Sequence, residues 1–304
     1  MSRGFTELDA PMWRLVRQLY YEDKVVEAQY EAEQLGGLSS LGQDNNHLFA
    51  EAEARELGRQ LKLRPWLTLE AIESEVGHHL PQIADIVATE CEALSHQFGW
   101  DNRESTLVSL LSQDVEAPWM PGRWGYFVDK VPYDKVCLPH HLVSDFAEMR
   151  RTIRHEFMHG ITLNLSQRRA SRWVEEGFST YAEKRLDTRT WQGFKNGSAQ
   201  WLDPNELNQM LATDNRKSEL HRAISTSYSQ SNMIVRYLAD RFGEPMLGEF
   251  LKELGTSSLL ETLNEGLFSR SPIDSALHKA YHMSERGVFS EAQVWVRSSP
   301  VPSE

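Results

Sequence analysis

The feature that most constrains this chain is the pentad His-Glu-Phe-Met-His at residues 155–159. If the segment is helical, His155 and His159 lie on one face of the helix, with Cβ atoms about 6 Å apart. Both imidazoles can then reach a single metal ion. Glu156 stands beside that ion without binding it, so the pattern predicts a metal-binding helix with an acidic group next to the metal.

The residues around the pentad favour a helix. Asp145, with Glu148 three residues later, has the form of a capping box at a helix N-terminus. Apolar residues recur at helical spacing on one side of the segment: Phe146, Met149, Ile153, Phe157 and Ile161. The two histidines are therefore expected to lie beside a buried apolar stripe.

A second motif, Trp-Val-Glu-Glu-Gly, follows at residues 173–177, and sixteen residues separate His159 from Glu176. A catalytic zinc ion usually takes three protein ligands and leaves a fourth position open for water. Two histidines on one helix and a glutamate from the next helix would complete such a set. The two motifs together therefore predict a catalytic type of zinc site.

The segments HEFMHG and WVEEGFSTY together resemble the gluzincin metallopeptidases of the peptidase MA superfamily. WVEEGFSTY in particular is similar to a segment of the zinc aminopeptidases. The resemblance implies zinc peptidase chemistry, with one zinc ion per chain. It implies that the zinc ligands are His155, His159 and Glu176, that Glu156 is the general base, and that Thr180, one turn after Glu176, is a partner of that ligand.

The chain also departs from the aminopeptidases. Their spacing between the second histidine and the glutamate is longer, and they carry an upstream G-x-M-E-N strand whose glutamate holds the amino terminus of the substrate. The corresponding region here reads GRWGYFVD at residues 122–129, without that motif. Glu175 is the weaker candidate for the third ligand, because the glutamate of the family directly precedes the glycine. The resemblance therefore supports the superfamily and leaves aminopeptidase specificity open.

Amide hydrolysis also needs a donor for the negative charge that develops on the carbonyl oxygen. In gluzincins a tyrosine or histidine on a helix after the third ligand supplies it. Tyr228 begins a segment that ends in Tyr-Leu-Ala-Asp-Arg-Phe-Gly and is similar to a segment of the superfamily. Tyr228 is therefore the preferred candidate, and His221 is the alternative.

Composition restricts the partners and the compartment. The formal net charge of −12 argues against a nucleic-acid partner, because binding phosphates requires a basic face. No run approaches the ~20 apolar residues of a membrane span, and the N-terminal stretch lacks the apolar core of a signal peptide. Cys91 and Cys137 lie in apolar settings and are expected to be buried free thiols. We therefore expect a cytoplasmic protein that does not bind membranes, of unknown oligomeric state.

Short runs near residues 106–112, 124–128 and 135–138 predict three strands before the pentad. They match the small mixed sheet that gluzincins place over the active-site helix. We therefore expect an α+β, mostly helical zincin-like fold, with a small mixed β-sheet before that helix and a helical C-terminal lobe. The expected parts are an N-terminal helical segment at 1–75, with helices at about 11–35 and 47–61, and a metallopeptidase domain at 76–304. Within that domain we expect the sheet and active helix at about 100–186 and the lobe at about 187–304, with helices near 229–242, 246–254, 258–267, 273–281 and 289–296.

The expected function is zinc-dependent hydrolysis of peptide bonds in a peptide or protein substrate. Endopeptidase or oligopeptidase action is favoured because the amine-anchoring motif is missing, and an edge strand of the sheet would hold an extended peptide by β-augmentation. An aminopeptidase is one alternative. A non-catalytic gluzincin-fold protein with a structural zinc, whose N-terminal helices bind a partner, is another. A third is a zymogen-like enzyme in which residues 1–75 plug the cleft.

Overall fold

The computed structural model describes residues 13–35, 46–101, 105–112, 125–129, 133–213, 221–256 and 271–301, without the side chains of Asn46 and His221. These residues form two compact units. The first contains the described parts of Met1–Glu92 and Asn102–Phe157, and the second those of Ala93–Asp101, Met158–Thr213 and Lys217–Glu304. Two continuous helices, Leu80–Phe98 and Phe146–Leu165, contribute residues to both units.

The first unit combines helices with a five-stranded mixed sheet. Its helices are α1 (Arg14–Tyr21), α2 (Val25–Gln34), α3 (Asn46–Leu57), and the first parts of α4 (Leu80–Phe98) and α5 (Phe146–Leu165). Its strands are β1 (Arg59–Arg64), β2 (Leu67–Ala71), β3 (Thr106–Leu110), β4 (Tyr126–Val128) and β5 (Asp134–Leu138). A helical turn (Glu73–Val76) and a 3-10 turn (Gly77–His79) precede α4, and a 3-10 turn (His140–Ser144) precedes α5.

The strand order is β1-β2-β3-β5-β4. Strands β2, β3 and β5 are parallel, with Leu69 opposite Val108 and Val108 opposite Val136. The edge strands β1 and β4 are antiparallel to their neighbours. Every residue of β3 and β5 is buried, as expected of central strands that are covered on both faces.

The N-terminal helices share one hydrophobic core with β4. Tyr126 and Val128 of β4 belong to the same buried cluster as Trp13, Val16 and Tyr20 at the start of the described chain. The cluster also contains residues of α2 and α3 and, from β5, Cys137. Strand β4 is therefore anchored by these helices as well as by its pairing with β5.

The second unit is helical. Besides the ends of α4 and α5, its helices are α6 (Arg172–Ala182), α7 (Thr188–Asn196), α8 (Pro204–Ala212), α9 (His221–Phe242), α10 (Pro245–Thr256), α11 (Pro272–Tyr281) and α12 (Glu285–Ser298). Phe178 of α6 packs against Phe98 of α4, with ring centroids 6.0 Å apart, and stacks on Phe250 of α10 at 6.1 Å. Aromatic side chains therefore link α6 to the other helices of this unit.

The predicted α+β, mostly helical class is confirmed, and β3, β4 and β5 lie close to the predicted strands. The helix predicted to run to about residue 61 is shorter, because α3 ends at Leu57 and residues 59–71 form β1 and β2. The helix predicted over 11–35 is interrupted at Asp23, whose φ of 55° lies in the left-handed region. The division near residue 75 stays a prediction.

Most predicted helices of the C-terminal lobe are present. Helix α9 starts at His221, earlier than the predicted start at residue 229. The helix predicted at 258–267 lies outside the described residues. Cys91 and Cys137 are buried free thiols, as predicted. Among the described residues, no helix combines the length and the apolar character that crossing a membrane requires.

Candidate metal centre

Helix α5 carries the pentad, and its sequence explains its position. Asp145 caps it by accepting a hydrogen bond from the Glu148 backbone N–H at 3.0 Å. The predicted apolar stripe is buried at Met149, Ile153, Phe157 and Ile161. These contacts fix both the start of the helix and the face that it turns to the core. That orientation determines the directions in which the side chains of the pentad project.

An ion pair beside the pentad also holds α5. The Arg154 guanidinium donates to Glu90 of α4 at 2.8 Å, and Arg150 donates to the other oxygen of Glu90 at 2.7 Å. Burial works to raise the pKa of the Glu90 carboxyl, but the two arginines outweigh it and lower the pKa. Arg154 directly precedes His155, so this ion pair restrains the rotation of α5 at the candidate site.

The three polar residues of the pentad converge. Ligand atoms of His155, Glu156 and His159 all lie within 4.8 Å of one another. The two histidines are partly exposed, whereas Glu156 is only 5% exposed. Glu156 is therefore close enough to both imidazoles to act on a reactant held at them.

Glu176, on α6, approaches the second histidine. Its Oε2 lies 3.7 Å from Nε2 of His159, and the residue is 4% exposed. Two atoms that each lie about 2.0–2.2 Å from one zinc ion can be at most about 4.4 Å apart. The distance therefore fits a shared ion, and two imidazoles with a carboxylate are a donor set that suits zinc.

Glu175, the weaker candidate ligand, has a different partner. Its Oε2 accepts a hydrogen bond from Nη1 of Arg172 at 2.6 Å, within the first turn of α6. This contact occupies Glu175 with an ion pair on its own helix. The geometry therefore favours Glu176 over Glu175 as the neighbour of His159.

Helix α6 is positioned by the tryptophan of its motif. The indole Nε1 of Trp173 donates to Glu285 at 2.7 Å, its ring packs edge-to-face on Phe289, and its backbone N–H donates to Asn208 at 3.0 Å. Burial raises the pKa of the Glu285 carboxyl, although the bond from Trp173 works in the opposite direction. The spacing within the motif thus places Glu176 about one helical turn after Trp173, which these contacts hold in place.

Gly177 sets how closely α6 approaches α9. A Cβ atom at this position would lie 2.9 Å from the backbone oxygen of Ser231 and 3.1 Å from Cγ2 of Val235. Only glycine permits this approach without a shift of one helix. The glycine of the Glu-Gly pair therefore has a packing role directly beside Glu176.

Thr180 contacts the backbone of its own helix. Its hydroxyl donates to the carbonyl oxygens of Glu176 at 2.7 Å and of Gly177 at 3.2 Å. These hydrogen bonds of Thr180 reach the main chain of Glu176, whereas a partner of the ligand would be expected to reach the carboxylate. Its role at the ligand stays a prediction.

Tyr228, the preferred oxyanion donor, lies in the wall of a cleft of about 470 Å³. Thr180, Arg185, Asp187 and Asn232 also line this cleft. His221, the alternative donor, is the first residue of α9, and its side chain lies outside the described part of the chain. The choice between the two candidates therefore stays open.

Gly125 is a neighbour of the site that the sequence analysis did not identify. A Cβ atom there would lie 2.5 Å from Cγ2 of Thr152 and 3.1 Å from Cγ of Glu156. The available signal was the glycine in Trp-Gly-Tyr-Phe at the start of a predicted strand, since such a glycine often marks a close approach. The chain entering β4 therefore lies directly against the side chain of Glu156.

A family model described as the peptidase MA superfamily matches residues 141–298. The match begins in the 3-10 turn before α5, ends in α12, and includes the pentad, α6 and Tyr228. No curated protein and no solved structure gave a match to the chain.

Proposed function

The chain belongs to the peptidase MA superfamily, and from this we propose that it is a zinc-dependent peptidase holding one zinc ion through His155, His159 and Glu176. The observation that carries the proposal is the convergence of His155, Glu156 and His159 on α5, with the Glu176 carboxylate 3.7 Å from His159. All four residues fall within the matched part of the chain.

The chemistry divides between the ion and the side chains. When bound, zinc supplies a Lewis acid that polarises the scissile carbonyl and acidifies the attacking water. The Glu156 carboxylate accepts a proton from that water as the oxygen of the water bonds to the carbonyl carbon. Glu156 then passes the proton to the nitrogen as the C–N bond breaks, which leaves a carboxylic acid and an amine. The hydroxyl of Tyr228 donates a hydrogen bond to the developing oxyanion.

We further propose that the substrate is a peptide or protein cut by endopeptidase or oligopeptidase action. Residues 122–129, which include β4, lack the G-x-M-E-N motif whose glutamate holds the substrate's amino terminus in the aminopeptidases. Strand β4 is an edge strand of the sheet, and its entry lies against Glu156. An extended peptide that pairs with such an edge would pass the general base without needing a free amino terminus.

Three glutamine substitutions test the assignment, because each removes one carboxylate at nearly constant volume. Glu156→Gln should keep one zinc ion per chain while peptide hydrolysis falls by orders of magnitude. Glu176→Gln should lose zinc as well as activity. Glu175→Gln is the matched control and should keep both, because Glu175 pairs with Arg172. Normal turnover in the Glu156 variant would reject that residue as the base.

A panel of peptides in amino-blocked and free-amine forms tests the mode of cleavage. We expect blocked peptides to be cut internally, with products identified by mass spectrometry. A strict preference for free amino termini would instead establish an aminopeptidase. A wild-type protein that contains one zinc ion and cuts no peptide in the panel would support the non-catalytic alternative.

A further inference from the structure

The first unit contains a network of buried charges away from the candidate metal centre. Lys135 lies on β5, an interior strand of the sheet. Its Nζ lies 2.9 Å from Oε2 of Glu51 and 3.6 Å from Oδ1 of Asp23. Lys135 and Glu51 are both fully buried. Burial works to lower the pKa of the Lys135 amine, but the Glu51 carboxylate and its neighbours raise it. Lys135 is therefore charged, and the N-terminal helices supply its counterion.

The same network continues to a second cation. Arg55 of α3 donates to Asp23 at 2.6 Å and to Glu70 of β2 at 2.5 Å, and Ser109 of β3 donates to Glu70 at 2.9 Å. Helix α3 thus contributes Glu51 and Arg55 to partners on two strands of the sheet, β5 and β2. Each charge in such a network depends on the others, because an unpaired charge in the interior is strongly unfavourable.

Glu51 also binds two tyrosine hydroxyls through one oxygen. The hydroxyl of Tyr126, on β4, donates to Oε1 of Glu51 at 2.9 Å, and the hydroxyl of Tyr20, on α1, donates to the same oxygen at 2.8 Å. Both tyrosines are buried. Of these two bonds, only the one from Tyr126 connects Glu51 to the edge strand.

Strand β4 needs such an anchor. It has three residues, and among the described strands it pairs with β5 alone. Gly125 immediately precedes Tyr126 and lies so close to Glu156 that a Cβ atom would come within 3.1 Å of Cγ of that residue. A movement of β4 would therefore change the space around the Glu156 side chain.

We propose that Glu51 and Tyr126 are positioning residues for Glu156: the carboxylate on α3 holds the tyrosine of β4, and β4 holds the general base. This inference rests on the proposed function for the role of Glu156. Under this proposal the N-terminal helices contribute to the position of the general base, although they precede the residues that the family model matches. The N-terminal helices share buried ion pairs with β5, an interior strand of the sheet. Such pairs are not expected of a plug that is removed to release activity, or of an independent partner-binding module.

The experiment compares Tyr126→Phe with Tyr20→Phe in the full-length protein. Each variant loses one buried hydroxyl that donates to the same oxygen of Glu51, and the Tyr126 hydroxyl also bonds to Cys137 of β5. A purely structural role predicts a loss of stability in each variant and no change of kcat in either. We expect a loss of thermal stability and full zinc content in both. In Tyr126→Phe, kcat should fall by about tenfold while KM stays within about twofold, because misplacement of a catalytic group acts on the chemical step. Tyr20→Phe should keep the wild-type kcat.

Hydrogen exchange gives a readout that does not depend on activity. The amides of residues 126–128 should exchange faster in Tyr126→Phe than in wild type and should be unchanged in Tyr20→Phe. Gly125→Ala is a second variant that disturbs the contact with Glu156 without touching Glu51, and it should also lower kcat more than it changes KM. Equal kcat values and equal exchange in the two tyrosine variants would overturn the inference. If wild type cuts no peptide, the proposed function fails, and the exchange comparison still decides whether Tyr126 holds β4.

Discussion

Replacement of Gly177 by alanine tests how α6 presents Glu176. The added Cβ would lie 2.9 Å from the Ser231 oxygen, whereas ordinary contact begins at 3.4 Å, so α6 and α9 must separate by about 0.5 Å (3.4 − 2.9). The oxygen belongs to the backbone of a helix and has no flexible side chain that could move aside. The shift must therefore be taken up by the helices themselves, one residue from Glu176.

The expected magnitude follows from two opposing effects. Overpacking of a tight contact costs about 1–3 kcal/mol. Alanine in place of glycine inside a helix stabilises by about 0.5–1 kcal/mol. The difference spans about 0–2.5 kcal/mol, so we expect Gly177→Ala to lose roughly 1 kcal/mol of the free energy of unfolding. A displaced ligand should also weaken zinc binding by about tenfold, as changes next to metal ligands commonly do.

Gly193→Ala is the matched control. Gly193 also lies inside a helix, α7, but its Cβ would be 3.3 Å from Cβ of Ala199 and 3.5 Å from Oγ of Ser198. A shift of a few tenths of an ångström relieves these contacts, so this variant should keep most of the helix-propensity gain. Urea unfolding in the presence of a chelator measures stability, and competition with a chromogenic chelator measures zinc affinity. The reasoning is refuted if Gly177→Ala is as stable as Gly193→Ala and binds zinc as wild type does.

Two further predictions concern the partly buried carboxyl of Glu285 and the proposed oxyanion donor. Burial raises the pKa of Glu285 in the folded chain, so its contribution to stability is fully present below the unfolded pKa and is lost as pH rises through the folded pKa. Glu285→Gln stays neutral, so it should gain stability relative to wild type as pH is raised from about 4 to about 7, measured as the difference in urea midpoints. A difference that does not change with pH would contradict the raised pKa. Tyr228→Phe should lower kcat for peptide hydrolysis by about a hundredfold at unchanged zinc content. An unchanged kcat in this variant would contradict Tyr228 as the oxyanion donor and favour His221.

The arrangement on α5 could be predicted from the sequence because it depends on local geometry. The cap at Asp145, the buried stripe and the four-residue spacing of His155 and His159 all follow from the period of a single helix. The same holds for α6, where Trp173 and Gly177 belong to one short motif. The placement of Glu176 near His159 needed the resemblance to a family, because spacing alone does not fix how two successive helices pack.

The two N-terminal strands could not be predicted in this way. Arg59–Arg64 reads RQLKLR, which carries three cations and is separated from α3 by Gly58 alone. Strand β1 is largely exposed, and it is fixed by pairing with β2, which in turn pairs in parallel with β3. Strands β2 and β3 lie far apart in the chain, so the tertiary context overrides the local pattern.

The burial of Lys135 is a second feature that the local sequence does not predict. A lysine in a strand ordinarily indicates a solvent-facing side chain, since lysine is rarely fully buried unless it is paired. Its partner Glu51 lies on α3, and nothing in the local sequence of either residue indicates the other. The pairing became evident only once the helices and the sheet were assembled, which is why the sequence left the role of the N-terminal segment open.

The proposed general base, Glu156, and the proposed carboxylate ligand, Glu176, are each placed next to a glycine, for a common physical reason. Glu156 and Glu176 are 5% and 4% exposed, and a buried carboxylate is tolerated only where its surroundings hold it in one geometry. Gly125 brings the backbone of β4 against Glu156, and Gly177 brings α6 against the backbone of α9. Backbone atoms in a sheet or a helix have less freedom than a side chain would have at the same contact. The missing Cβ atoms therefore let rigid elements, rather than mobile side chains, define where each carboxylate lies.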